Sequence, residues 1–134
     1  MLERQPHASA DVLELRHGLE TLSTAYAAEH ATDADLARIA EKDAAFHLAI
    51  ADATHNVALT HVMHGLNDLM RASMLMSHRL VDYDDDVEAN LLAQHRAIHD
   101  AIVACDPVRA RECAGAHLDY VRTLYARSPS KNMK

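Results

Sequence analysis

Four ionisable side chains interrupt runs that are otherwise apolar at helical spacing: Asp43, His47, His95 and His117. Asp43 and His47 are four residues apart, so on a helix their side chains meet on one face. A buried carboxylate is unfavourable unless it is paired, hydrogen-bonded or bound to a metal. One carboxylate and three imidazoles suit a divalent first-row ion such as zinc, nickel or manganese. A hydrogen-bonded polar core without metal fits the same periodicity.

The apolar periodicity predicts five helices that would carry these groups, over about 9–29, 32–53, 57–81, 87–104 and 107–126. The second helix would run through Asp43 and His47 without a break. Thr32 and Asp35 have the composition of a capping box at its start. Asp86 is predicted to cap the fourth helix, and Asp106 the fifth, ahead of a proline at its first position.

Composition favours an all-α fold. The chain has 134 residues, of which 49% are hydrophobic, with three glycines and three prolines. Few residues therefore break or compete with helices. We expect one domain over 9–126, preceded by a linker or truncated end at 1–8 and followed by a polar tail at 127–134.

The charge balance argues against nucleic-acid binding by this chain itself. Thirteen Lys and Arg against 20 Asp and Glu give a net charge of −7, and no basic cluster stands out. No apolar run is long enough for a membrane span, and no signal peptide is visible. Two cysteines, Cys105 and Cys113, do not make a disulfide framework. We expect a cytoplasmic protein.

Several short motifs resemble the effector-binding C-terminal domain, called FCD, of FadR-type GntR transcription regulators. The matching motifs are Asp-x-x-Phe-His-x-x-Ile-Ala beginning at Asp43, Ala-Thr-His-Asn beginning at Ala53, His-Arg-Ala-Ile beginning at His95, Asp106-Pro107 and His117-Leu118. The first helix, with Leu15-Arg16 and Leu19-Glu20, is similar too. The resemblance covers about residues 9–126. It implies an antiparallel helical bundle with a central metal and ligand pocket, in which Asp43, His47, His95 and His117 bind the metal.

The resemblance also implies a sensor rather than an enzyme. A small organic acid would dock beside the metal, and Arg16, Asn67 and Arg71 could line its pocket. The domain would pair as a homodimer and act on DNA through a winged helix-turn-helix that would precede residue 1. Ligand binding would modulate DNA binding by biasing the dimer between two arrangements.

Three departures from the family pattern stand out. Gln94 occupies a position where the family usually has Glu, and Cys105 a position where Gly commonly ends the helix. Thr32 and Asp43 are closer together than in the family, so either this member is shortened or residues are missing from the stretch.

Other functions fit parts of the pattern. His99-Asp100 could be the central pair of an HD-type metal phosphohydrolase, although Asp100 lies off its helix's apolar stripe. A ferritin-like di-iron site needs paired Glu-x-x-His motifs, and one is present, at Glu14 and His17. A helical dimerisation module with buried Asp–His pairs would need no metal and no ligand.

Overall fold

All the regular secondary structure in the described part of the chain is helical, which confirms the predicted all-α class. The computed structural model describes residues 5–41, 45–77 and 84–132. Its elements in chain order are α1 (Gln5–His30), α2 (Asp33–Glu41), α3 (Phe46–Ala53), α4 (Val57–Ser77), α5 (Asp85–Val103) and α6 (Pro107–Asn132).

The prediction of one helix over 32–53 is wrong, because α2 ends at Glu41 and α3 begins at Phe46. No side chain caps α3; its N-cap residue is Ala45. The capping box at the start of α2 is confirmed in both directions. The Thr32 N–H donates to Asp35 Oδ2 at 2.9 Å, and the Asp35 N–H donates to Thr32 Oγ1 at 3.1 Å.

Other helix ends differ from the prediction by a few residues. Helix α1 begins at Gln5, within the predicted linker, and α6 continues to Asn132, through most of the predicted tail. Asp84 rather than Asp86 caps α5, because Asp84 has an extended backbone and its Oδ1 accepts the Val87 N–H at 2.8 Å. The predicted cap at Asp106 is confirmed by its hydrogen bond from the Arg109 N–H at 3.1 Å.

Two tight turns bring consecutive helices together. His55, between α3 and α4, and Cys105, between α5 and α6, each have a φ of 57°, in the left-handed region. At the second turn, the N–H of Cys105 bonds Ile102 O at 3.0 Å and that of Asp106 bonds Ala101 O at 3.1 Å. This is the pattern that closes a helix with a left-handed residue.

Antiparallel packing follows from these turns. Across α5 and α6, Asn90 bonds Tyr120 and Gln94 bonds His117, so residue numbers rise on one helix as they fall on the other. The main core combines aliphatic residues from α2, α3 and α5 with small residues of α1 and α6, and it includes Ile39, Phe46, Ile50, Ile98 and Ile102. Helices α3, α5 and α6 therefore meet at the centre of the molecule.

Candidate metal centre

Three histidines from three helices converge at this centre. His47 lies in the first turn of α3, His95 in the middle of α5 and His117 in the middle of α6. One ring nitrogen from each lies within 4.8 Å of those of the other two. The Nε2 atoms of His47 and His117 are 3.4 Å apart. These nitrogens could hold a metal ion together.

The second ring nitrogen of two of these histidines is already held. The Nδ1 of His47 pairs with Oε1 of Glu20 on α1. The Nδ1 of His117 lies 2.6 Å from Oε1 of Gln94 on α5. Both partners are acceptors, so each Nδ1 carries a hydrogen, and in the neutral form of each ring Nε2 presents a lone pair. Outer partners orient metal-binding histidines in this way.

The contact between the two Nε2 atoms is itself a test of whether the site suits a cation. When both rings are neutral with the hydrogen on Nδ1, two lone pairs face each other across 3.4 Å. Two acceptors at this distance repel each other unless a proton or a metal ion lies between them. The donor set of His47 and His117 therefore fits a bound cation.

Charges around the centre favour metal-binding protonation states. Burial would raise the pKa of Glu20, but electrostatic interactions and hydrogen bonds with His47 and Arg16 lower it to about 2. Burial, followed by electrostatic interactions with His47 and His95, lowers the pKa of His117 to about 3. Glu20 is thus ionised and His117 neutral near pH 7, and neutral imidazole is the form that binds metals.

The ring of His95 is positioned by an aromatic neighbour. It stacks on the buried ring of Phe46, with 4.1 Å between centroids and 10° between planes. Phe46 immediately precedes His47, so the start of α3 contributes one histidine and orients another.

Asp43, the fourth predicted ligand, lies outside the described residues, as does its predicted pairing with His47 on one helix face. The other three predicted ligands are brought together.

A narrow pocket adjoins His47 between α1 and α4. Arg16 and Asn67, two of the residues predicted to contact a ligand, line it with Glu20 and Met70. Arg71 is exposed and does not line it. The buried Arg16 guanidinium donates from Nε to Glu20 and from Nη1 to Met70 Sδ at 3.5 Å. The cavity volume is about 10 Å³, which is room for about one water.

A wider cleft of about 180 Å³ opens beside His95 on the other side, between α2 and α5. Arg96 and His99 line it together with Ile39, Phe46 and Leu92. Sequence reasoning assigned no role to Arg96, although it directly follows a predicted ligand.

Glu20 was also missed as part of the site. Its signal was available, because Arg16 and Glu20 are four residues apart beside the apolar stripe of α1. Gln94 was noted as a departure from the family, but its bond to His117 depends on how α5 docks against α6.

Comparison with known proteins decides the family. The sequence profile of the FCD domain matches residues 37–120. The chain belongs to the FCD family. FCD domains are effector-binding regulatory domains of GntR-family transcription regulators, and they are not catalytic. The phosphohydrolase alternative has no support, since His99 bonds the carbonyl of Leu36 and Asp100 is exposed.

Curated relatives of this FCD domain are transcription regulators. A protein of Escherichia coli (strain K12) described as an L-lactate dehydrogenase operon regulatory protein is 33% identical over 142 residues, covering 95% of this chain and 55% of the relative. The HTH-type transcriptional regulator LutR of Bacillus subtilis (strain 168) is 30% identical, covering 84% of the chain and 60% of the relative. The Glc operon transcriptional activator of Escherichia coli (strain K12) is 30% identical, and the alignment covers 92% of this chain and 56% of the relative.

The FCD domain spans little more than half the length of these relatives. The first alignment covers 142 residues, more than the 134 of this chain, so that relative has residues with no counterpart here. No helix in the described ranges is long and apolar enough to cross a membrane.

Proposed function

We propose that this FCD domain is a metal-dependent sensor of a small carboxylate, and that the ion binds to His47, His95 and His117. The observation that carries the proposal is the convergence of the three ring nitrogens within 4.8 Å, two of them oriented by Glu20 and Gln94. Asp43 is proposed as a fourth ligand on the family resemblance.

Zinc is the first metal to test, followed by nickel and manganese. Imidazole nitrogen is a good ligand for zinc and nickel, whereas manganese prefers sites with more oxygen. When bound, the metal supplies a positive charge that attracts a carboxylate oxygen.

The effector is proposed to be a small organic acid, with L-lactate the first to test because of the name of one relative. Arg16 is suited to bind a carboxylate through its guanidinium. In the structure that guanidinium is already paired with Glu20. A binding acid would replace Glu20 as the partner of the Arg16 guanidinium. It would also displace Met70, because the cavity has room for only about one water.

This exchange would couple ligand binding to helix packing. Arg16 lies on α1 and Met70 on α4, so making room for an acid changes how these two helices pack. Only an effector that binds the two arrangements with different affinity can shift the balance between them. We propose that the domain acts as a cytoplasmic homodimer and passes this shift to DNA through a DNA-binding domain.

Elemental mass spectrometry on protein purified without a histidine tag tests the metal site. We expect about one metal per chain in the wild type and almost none in the His95→Ala, His117→Ala double variant. The matched control is His30→Ala, His64→Ala, which removes two exposed histidines outside the centre. No metal after reloading with zinc, nickel or manganese would overturn the proposal.

Calorimetric titration tests the effector. L-lactate should bind the metal-loaded domain, whereas L-lactamide, which lacks the carboxylate, should not. If neither L-lactate nor any of a panel of small carboxylic acids binds the loaded domain, the sensor proposal fails.

One observation favours the metal-free dimerisation module as a second candidate. Within the described residues, no fully buried side-chain N or O atom lacks a hydrogen-bond partner. A polar core satisfied in this way needs no ion. The metal-content measurement separates the two candidates.

A further inference from the structure

The wider of the two pockets beside the metal centre has no part in the function proposed above. This α2/α5 cleft is lined by residues of α2, α3 and α5 and has a volume of about 180 Å³. It shares no lining residue with the narrow pocket at Arg16. An apolar cavity of about 150 Å³ is large enough to hold benzene. The α2/α5 cleft is therefore large enough for a molecule built on a single ring.

The inner walls of this cleft are apolar. Ile39 of α2 and Phe46 at the start of α3 line it and are almost fully buried. The ring of Phe46 stacks on that of His95, which also lines the cleft, so the two rings hold each other in place. At the rim, the side chain of Leu92 on α5 is 57% exposed. An apolar group bound in the cleft would remove part of this exposed surface from water.

The rim of the cleft also carries a positive charge. Arg96 lines the cleft and is exposed. No carboxylate of the described residues lines it, and the exposed Asp100, four residues after Arg96, is not part of its walls. A guanidinium binds a carboxylate through two parallel hydrogen bonds. The cleft is therefore complementary to an anion, although the net charge of the chain is −7.

Helical spacing brings the apolar and the polar groups of α5 to the same side. The cleft is lined from this helix by Leu92, His95, Arg96 and His99, which are three or four residues apart along one face. The Nε2 of His99 lies 3.3 Å from the carbonyl oxygen of Leu36 on α2. A carbonyl can only accept, so Nε2 donates and ties α2 to α5 about one helical turn from Arg96. The site is therefore built on packed helices rather than on a loop, which favours a defined geometry.

An apolar interior with one arginine at its rim favours one class of ligand. Inorganic phosphate or sulfate would bind the guanidinium of Arg96 but leave the apolar walls uncovered. A hydrocarbon would cover the walls and make no use of the charge. An organic anion with one carboxylate and one ring or branched chain uses both features, as ligands of small-molecule pockets commonly do.

We propose that the α2/α5 cleft is a second binding site, for a small organic anion with an apolar body, in which Arg96 binds the carboxylate and the apolar walls contact the rest. The site is separate from the acid site proposed at Arg16, and it does not depend on a metal. Because His95 borders both the cleft and the metal centre, a ligand in the cleft would contact that centre without entering the pocket at Arg16.

An NMR chemical-shift titration of the whole chain with benzoate tests the site, on both chelator-treated and metal-loaded protein. We expect saturable binding with a Kd of about 1 mM or tighter in both forms. Benzamide has the same ring but no charge, and it should bind at least about 10-fold more weakly. Acetate has the charge but no ring, and it should also bind more weakly than benzoate. Absence of saturable benzoate binding, or equal binding of benzamide, overturns the proposal.

Two substitutions test the rim and the walls. Arg96→Gln should weaken benzoate binding at least about 10-fold, because the charged hydrogen bonds are lost. Its matched control is Arg109→Gln, which changes an exposed arginine of α6 outside the cleft. Ala40→Phe, which fills the cleft from α2, should abolish binding, whereas Ala10→Phe at an exposed position of α1 should not. A benzoate affinity that Arg96→Gln leaves unchanged overturns the proposal.

The residues whose resonances shift separate this site from the acid site proposed at Arg16. Shifts centred on Ala40, Leu92 and Arg96, in the metal-free as in the metal-loaded chain, support the cleft. Shifts centred on Arg16 and Met70 overturn it and leave the proposed sensor function intact. If the chain binds benzoate in the cleft but binds no metal, the metal-dependent sensor fails and the cleft site stands.

Discussion

The Nε2 atoms of His47 and His117 face each other at 3.4 Å, while the Nδ1 atom of each ring is held by a residue from another helix. Glu20 holds the first ring and Gln94 the second. The centre is therefore built in two layers, with the imidazoles inside and their acceptors outside. Changes to the outer layer test the metal site without removing a ligand.

Gln94→Ala should weaken metal binding by about 10–100-fold, because His117 would lose the acceptor that fixes its tautomer and ring orientation. Competition with a chromophoric chelator measures the affinity. Asn90→Ala is the matched control: its amide also bonds α6, at Tyr120, but does not touch the centre. Equal metal affinities of the two variants would contradict the role of Gln94.

The charge on the acceptor at position 94 should matter as well. A Gln94→Glu variant places a carboxylate on His117 Nδ1, which makes the imidazole a more basic ligand. We expect metal affinity at or above that of the wild type. A weaker affinity than that of Gln94→Ala would show that the neutral amide is required.

The buried ion pair of α1 should appear in a double-mutant cycle. Arg16 and Glu20 are both buried, so Glu20→Leu leaves a guanidinium without its carboxylate, at an expected loss of about 3–5 kcal/mol in free energy of unfolding. Adding Arg16→Met should recover part of that loss, because the unpaired guanidinium is then removed while His47 Nδ1 still lacks its acceptor. Urea unfolding of the metal-free chain measures both. Glu29→Leu, at an exposed position, should change stability by less than about 0.5 kcal/mol. Additive effects of the two α1 substitutions would contradict this account.

Local features were predictable from the sequence because their partners are near in the chain. The capping box of Thr32 with Asp35, and the cap at Asp106, each join residues three apart. His95 and His117 were identified because they fall in an apolar stripe, which marks the buried face of a helix.

Features that depend on docking between helices were not predictable. The break between α2 and α3 has no capping side chain at Ala45 to signal it, so the apolar period seemed continuous. Gln94 and His117 are 23 residues apart, and their bond depends on how α5 meets α6. Three consecutive aspartates from Asp84 could each cap α5, and backbone conformation selects the first.

The pH dependence of stability should include a contribution from Asp35. Burial would raise its pKa, but hydrogen bonds from the Thr32 N–H and from His55, whose Nε2 lies 2.6 Å from Oδ2, lower it below the ordinary value of 3.8. A carboxyl whose pKa is lower in the folded state stabilises the fold above its unfolded pKa. That contribution is lost as the pH falls through the folded pKa.

Asp35→Ala should therefore destabilise the domain by about 0.5–2 kcal/mol near pH 7. The difference from the wild type should shrink as the pH falls below about 4. Thermal unfolding between pH 3 and 7 measures it. Asp33→Ala, an exposed aspartate at the same helix end, is the control and should show a smaller, flatter difference. If the difference in stability between Asp35→Ala and the wild type does not change with pH, the ionised Asp35 carboxylate is not the source of the stabilisation.

Cys105 tests the strain at the α5–α6 turn. Its φ of 57° lies in the left-handed region, which is unfavourable by about 1–2 kcal/mol for a residue with a side chain and is free of strain for glycine. Cys105→Gly should therefore stabilise the domain by about 0.5–1 kcal/mol, after the greater chain entropy of unfolded glycine is subtracted. Ala104→Gly, one residue earlier at a φ of −74°, gains no relief and should destabilise it. Urea unfolding under reducing conditions measures the stability of both variants. If Cys105→Gly is no more stable than the wild type, the turn is not strained at Cys105.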